Sequence, residues 1–264
     1  AASDVYKRQA ESEGFDRETL DIPAKQVELL KAVAAENKNI VVVLSNGSVV
    51  SVAPWAGNAK GILESWLLGQ AGGPALADVI FGKVSPSGKL AQTIPMDIND
   101  DPSMINWPGE EGHVDYGEGV FVGYRYYDTY DKAVDYPFGF GLSYTTFRYS
   151  DPVYSAEKGA VSVRIRNDGE TDAEEVVQAY VKPLEFDSHG LNWSLCAFGR
   201  VFLHAGEEKR VRLPIPARAF ECVTDDGRRI KAGRHFRLYV GGSQPDAVSC
   251  EKLGVKPMEL DVIV

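Results

Sequence analysis

IVVVLSNG, residues 40–47, is a short, uninterrupted and mostly β-branched run closed by turn residues. Such a run predicts a strand covered on both faces, as in a parallel sheet between layers of helix. Downstream, SVVSV (48–52) and Pro54-Trp55 lead into NAKGILESWLLGQ (58–70). There Ile62, Leu63, Trp66 and Leu67 recur at helical spacing, with Asn58 placed to cap the first turn. Gly72-Gly73 is expected to break that helix, and ALADVIFG (75–82) predicts a second, well-buried helix ending at Gly82. SPSG (85–88) is a turn, and KLAQTIP (89–95) alternates into a further strand. Strand, helix, helix, strand is half of an open α/β layer.

Upstream, AASDVYKRQ (1–9) has no initiator Met, no apolar segment and no period, and it reads as a non-native leader. Residues 11–21 are polar, contain Gly14 and run to Pro23, which makes them a loop. From Ala24 the apolar positions Val27, Leu30, Val33 and Ala34 predict an amphipathic helix. A loop so rich in carboxylates is ordinarily solvated surface.

Between Pro95 and Phe147 the chain is rich in aromatics, Gly and Asp without sustained period, and Val120-Phe121-Val122 suggests a short strand. Trp107, Tyr116, Tyr124, Tyr126 and Tyr127 offer stacking faces for a sugar. Their expected role is to plug a joint between domains, with Trp107 and Tyr116 kept as candidate substrate contacts. Glu118 and Arg125 suggest a structural ion pair. The Gly139-Phe140-Gly141 pattern follows no strand and opens no helix, so it is no dinucleotide site; it reads as a packed crossing between domains.

From about Phe147 the texture becomes all-β. AVSVRIRN (160–167) turns Val161, Val163 and Ile165 inward, NDGET (167–171) is a turn, and EEVVQAYVKP (174–183), RVRLPIP (210–216) and HFRLYVGGS (235–243) add strands. The spacing of turns predicts a sandwich of roughly seven strands. The 184–195 loop, with His189 and Trp193, reads as a variable surface loop. His204 and His235 read as packing histidines.

The 264 residues suffice for two domains. A net charge of −10 without a basic cluster excludes a phosphate-backbone partner. No apolar run approaches the roughly 20 residues of a membrane helix. Cys196, Cys222 and Cys250 lie far apart, and the four histidines have no ligand spacing, so neither a disulfide frame, a metal nor a cofactor is expected. Acidic charge and unpaired cysteines favour a cytoplasmic location, with secretion the alternative.

Five segments in one order carry a resemblance. They are ESEGFDR (11–17) with LDIP (20–23) and Gln26, SNGSVVSVAPW (45–55), GILESWLLGQAGGPALADVIFGKVSPSGKLAQTIP (61–95), GEGVFVGYRYYD (117–128) and YPFGFGLSYTTF (136–147). Together they closely resemble the second domain of glycoside hydrolase family 3, β-glucosidase branch, and the rest resembles the fibronectin-III-like domain that follows it there. The resemblance implies an α/β plus all-β chain. A partial α/β sandwich with a mostly parallel sheet (10–146) precedes a fibronectin-III-like β-sandwich (147–264). It further implies a C-terminal fragment whose N-terminal (β/α)8 barrel, bearing the nucleophilic aspartate, is missing.

In a retaining glycosidase a nucleophile and a proton donor flank the anomeric carbon, roughly 5 Å apart. The residue matching the family's general acid/base is Glu13, beside Gly14, where a sharp turn is permitted. Glu11 is its rival, because two residues along an extended segment it points the same way. Asp16 and Arg17 suggest a local pair shaping the loop. The implied substrate is a terminal β-D-glucoside or oligosaccharide, and the fragment alone should be inactive and prone to homo-oligomerise. β-Xylosidase specificity and a non-catalytic carbohydrate-binding module remain alternatives. The ESEGFDR loop argues against the β-N-acetylglucosaminidase branch.

Overall fold

The computed structural model describes residues 17–185 and 190–264. The stem at residues 17–23 leads into helix α1 (Ala24–Glu36), strand β1 (Val41–Leu44), strand β2 (Gly61–Glu64), helix α2 (Gly72–Ile80) and strand β3 (Ile94–Pro95). Helix α3 (Tyr124–Thr129) and strand β4 (Val134–Tyr136) complete the α/β part. β1 and β2 pair in parallel, Val41 opposite Gly61 through Leu44 opposite Glu64, and β3 pairs antiparallel with β4. A small core of Leu44, Val50, Val52 and Trp55 lies beneath, with Val27 and Leu30 of α1 packed on it. Trp55 is 2% exposed and its indole Nε1 donates to Ser51 O at 3.0 Å, so this large ring is buried without an orphan donor.

Several local expectations are corrected. β1 is not covered on both faces: Val41 is 51% exposed and Val43 37%, while Leu44 points into the core. A β-branched run fixes the strand but not how many faces are covered. Residues 61–64 form strand β2 and not a helix, because in-register pairing with β1 outweighs an apolar spacing compatible with either period. Asn58 accordingly ends a single 3-10 turn, its amide donating to Trp55 O. Gly72-Gly73 open α2 and break nothing. It ends at Ile80 with Gly82 (φ 74°) as the stop just past the cap Phe81, but Ile80 and Phe81 (85% exposed) lie outward, so the helix is not well buried. Of KLAQTIP only Ile94 and Pro95 are strand, and residues 120–122 are not one; Gly123 (φ 57°) instead starts α3.

The crossing segment packs as expected. Leu90 N donates to Phe140 O, and Leu90 O accepts from Gly139 N. Gly139 has φ 78°, and a Cβ there would stand 2.5 Å from Gln178 Oε1, so a side chain is excluded on both counts.

The sandwich follows with β5 (Phe147–Ser155), β6 (Ala160–Asn167), β7 (Ala173–Pro183), β8 (Ser194–Leu203), β9 (Glu208–Pro214), a small hairpin β10 (Glu221–Val223) and β11 (Arg229–Lys231), β12 (His235–Gly241), helix α4 (Ala247–Leu253) and β13 (Met258–Ile263). One sheet runs β5-β6-β9 and the other β13-β12-β7-β8, all antiparallel, giving the seven strands expected. Val161, Val163 and Ile165 face inward at 0–1% exposure and meet Val177, Leu203, Phe236, Leu238 and Val240 from the opposing sheet. Each such side chain contributes about 1.5–3 kcal/mol by leaving water. α4 has no apolar period to announce it; it is defined by Asp246, whose carboxylate caps Ser249 N at 2.8 Å, and by Gly254 in the left-handed region. Among the described residues no helix is long and apolar enough to cross a membrane.

Candidate functional site

Open α/β sheets place ligands beyond the carboxyl ends of their parallel strands. Here those ends are Leu44 and Glu64; the loop leaving Leu44 is polar, while the one leaving Glu64 carries Trp66 and the exposed Leu67 and Leu68. Ser51 N donates to Leu20 O at 2.8 Å, and Arg17 Nη1 donates to Ser48 Oγ (3.2 Å) and Val49 O (3.0 Å). The stem at 17–20 is thereby fastened to the loop that follows β1. Asn46, 6% exposed, stiffens that loop by donating from Nδ2 to Ser48 O (2.8 Å) and to Glu64 Oε2 (3.3 Å). Glu64 Oε1 accepts from Trp66 N at 2.9 Å and so holds Trp66 at φ 50°, a left-handed conformation costly for a bulky residue. Ser45 Oγ donates to Trp66 O, and Ser65 Oγ to Leu44 O. An open groove lined by Arg17, Asp21, Ile22, Val27, Lys31 and Trp55 runs along the stem's flank.

Glu13, its rival Glu11, and Asp16 of the expected Asp16–Arg17 pair lie outside the described residues, as does His189. What is described is the four-residue-distant anchor through which the Glu13 loop joins the sheet.

A second concentration of polar groups lies at the joint between α3 and the sandwich. Asp128 accepts from Trp193 Nε1 (3.1 Å) on one oxygen and Gln244 Nε2 (3.1 Å) on the other, while Asn192 Nδ2 donates to its carbonyl at 2.7 Å. Burial, reinforced by the nearby Asp246 charge, pushes the Asp128 carboxyl up to about 8. Gln244 Oε1, Asp246 Oδ2 and Ser249 Oγ are buried there without partners. Nearby, Lys89 Nζ meets Glu175 at 3.1 Å with both side chains largely out of water, and burial raises the Glu175 carboxyl despite the lysine.

The aromatic residues divide. Tyr124 stacks on Phe138 (4.7 Å between centroids), packs edge-on to Tyr180, and accepts from Leu195 N; Tyr127 is 4% exposed. Tyr124 plugs the joint, as expected, whereas Tyr127 is buried against Tyr126 within the α/β part. Trp107 and Tyr116 are 48% and 80% exposed. Glu118 and Arg125 do not pair, and Arg125 Nε is a buried donor without an acceptor. Within the 184–195 stretch, expected to be a variable surface loop, the described Asn192 and Trp193 are instead pinned on α3. His204 and His235 each bond a carboxylate, Asp172 and Glu185. The three cysteines are unpaired thiols, and burial pushes Cys196 up to about 12. No group of three His, Cys, Asp or Glu able to hold a metal occurs among the described residues.

Residues 3–144 match the glycosyl hydrolase family 3 C-terminal domain, and residues 175–244 a fibronectin type III-like domain. The chain belongs to glycoside hydrolase family 3. This family 3 chain is 67% identical over 242 residues to an exo-α-(1→6)-L-arabinopyranosidase of Bifidobacterium longum, covering 89% of the chain and 32% of that relative. It is 45% identical over 255 residues to thermostable β-glucosidase B of Acetivibrio thermocellus, covering 93% and 33%. The crystal structure of a family 3 β-glucosidase from Bifidobacterium adolescentis superposes with a TM-score of 0.88 at 62% identity, covering 97% of the chain and 37% of that structure. The chain thus spans about a third of the length of the curated relatives it matches.

Proposed function

We infer that this family 3 chain supplies the proton-transfer half of a retaining exo-glycosidase, with Glu13 as general acid/base and Glu11 its rival. The nucleophilic aspartate is supplied by a barrel outside these 264 residues. The observation that carries this reading is the likeness, over about nine-tenths of the chain, to glycosidases roughly three times as long. Also in its support, the stem that leads out of the Glu13 loop is fastened at the carboxyl end of β1, where such sheets bind ligands.

In the first step the Glu13 carboxyl gives its proton to the departing glycosidic oxygen as the barrel carboxylate attacks the anomeric carbon. In the second, the Glu13 carboxylate takes a proton from the water that releases the sugar. A carboxyl pKa raised by enclosure against the barrel serves both steps.

The glycon proposed is β-D-glucopyranose. A second reading, α-L-arabinopyranose, is favoured by the 67% identity to an arabinopyranosidase. In both sugars the departing oxygen is equatorial, so one acid/base geometry serves either. In the complete gene product, Glu13→Ala should lower kcat on poor leaving groups about 10³-fold, with azide restoring part of the rate. An unchanged kcat would refute the role. Turnover by the 264-residue chain alone would refute the division of labour.

A further inference from the structure

We propose that Glu64, Asn46 and Arg17 are positioning residues for the acid/base carboxylate, forming one hydrogen-bonded brace from the end of β2 to the loop that bears Glu13. This rests on the reading of Glu13 given above. The brace has three links in series. Glu64 holds the turn after β2 through Trp66 N and reaches Asn46 Nδ2; Asn46 holds Ser48 O; Arg17 is held by Ser48 Oγ and Val49 O.

Three observations set this apart from ordinary turn chemistry. Asn46 is almost fully enclosed, yet its Oδ1 has no partner, so the side chain is retained for its two donor bonds at the cost of a buried orphan acceptor. Trp66 occupies a left-handed backbone conformation where glycine would be easier, and the carboxylate of Glu64 holds it there. Both features sit at the carboxyl ends of the two parallel strands, the end to which the stem is tied.

The geometry also says why a brace is needed. A misplacement of roughly 1 Å at a reacting group can cost a hundredfold in rate, and Arg17, four residues from Glu13, is where that segment joins the sheet. The core cluster of Leu44, Val50, Val52 and Trp55 lies under the same loop and gives the brace a fixed floor.

The test uses the complete gene product and aryl glycosides of whichever sugar it turns over. A 2,4-dinitrophenyl glycoside needs no protonation to depart, whereas a phenyl glycoside does. Glu64→Gln places an amide donor against that of Asn46 without changing shape, and Arg17→Met removes the anchor. Each should lower kcat/KM, which reports the first step alone, about 10–100-fold on the phenyl glycoside and less than about threefold on the dinitrophenyl glycoside. Arg17→Lys should recover part of the loss, and Ser48→Ala, which leaves the Val49 contact intact, should show the same split in smaller degree. Equal losses on both substrates, or no loss, would overturn the brace. Glu13→Ala is assayed alongside. If it shows no leaving-group dependence the acid/base reading falls and the brace falls with it; if it does while Glu64→Gln and Arg17→Met do not, the brace alone falls.

Discussion

The sandwich and the α/β part handle apolar surface in opposite ways. Among the described residues fifteen buried ones, twelve of them from two facing sheets, form the sandwich core, whereas the α/β cluster has four. Leu67, Phe81, Val41 and Val43 of the α/β part remain exposed, while the equivalent alternation in β6 and β12 ends wholly inside. The lesson is that cohesion resides in the sandwich and the proposed chemistry in the part with the thinner core. A strand end that must meet a ligand cannot also be sealed by packing.

This contrast can be broken at several points. The largest effect should come from Phe236→Ala, which empties the sandwich centre beside Phe220 (5.0 Å) and should cost about 3–5 kcal/mol by chemical denaturation. Next, Lys89→Met strands Glu175 between the two parts and should cost roughly 3 kcal/mol near neutral pH. That loss should shrink in acid, where the already raised Glu175 carboxyl takes up a proton.

Asp128 sharpens the comparison at the joint. Its folded pKa, about 8, lies above the ordinary carboxyl value of 3.8, so the folded state holds the extra proton between those limits. Its stabilisation is complete below about pH 4 and is lost as pH rises through 8. Asp128→Asn should flatten that slope and leave the variant more stable than the parent above pH 8, on the order of 2 kcal/mol by thermal or denaturant melts. Gln244 can accommodate the change by turning its unpartnered Oε1 toward the new amide. The smallest effect belongs to Phe81→Ser, expected within about 0.5 kcal/mol because the ring is already in water.

The same contrast governs what the sequence made legible. The alternation of Val161, Val163 and Ile165 has only one reading when both sheets bury the same face, and the sandwich follows from it. Ile62 and Leu63 have two readings, and only the partner strand β1 chooses between them. Helices α3 and α4 are too short to carry a period. At the candidate site Glu13 stands out solely through resemblance, since the loop's carboxylates look alike to physics. The brace was hidden for a different reason: Ser45, Asn46 and Ser48 are common turn residues, and nothing in their spacing reveals that Glu64 lies against them. Asp128 was equally silent, because its partners Trp193 and Gln244 are 65 and 116 residues away.

The pinning of Asn192 and Trp193 on α3 has a consequence for recombination. Gln178 donates to Gly139 O (2.9 Å) and to Gly242 O (3.0 Å), and Tyr180 donates to Gln178, so the sandwich carries side chains cut to fit one particular neighbour. Two homologous enzymes spliced between residues 146 and 147 would inherit half of each such fit. A functional hybrid must transplant Gln178, Trp193 and Gln244 together with Tyr124, Asp128 and Gly139, as a tailor moves a sleeve with its armhole.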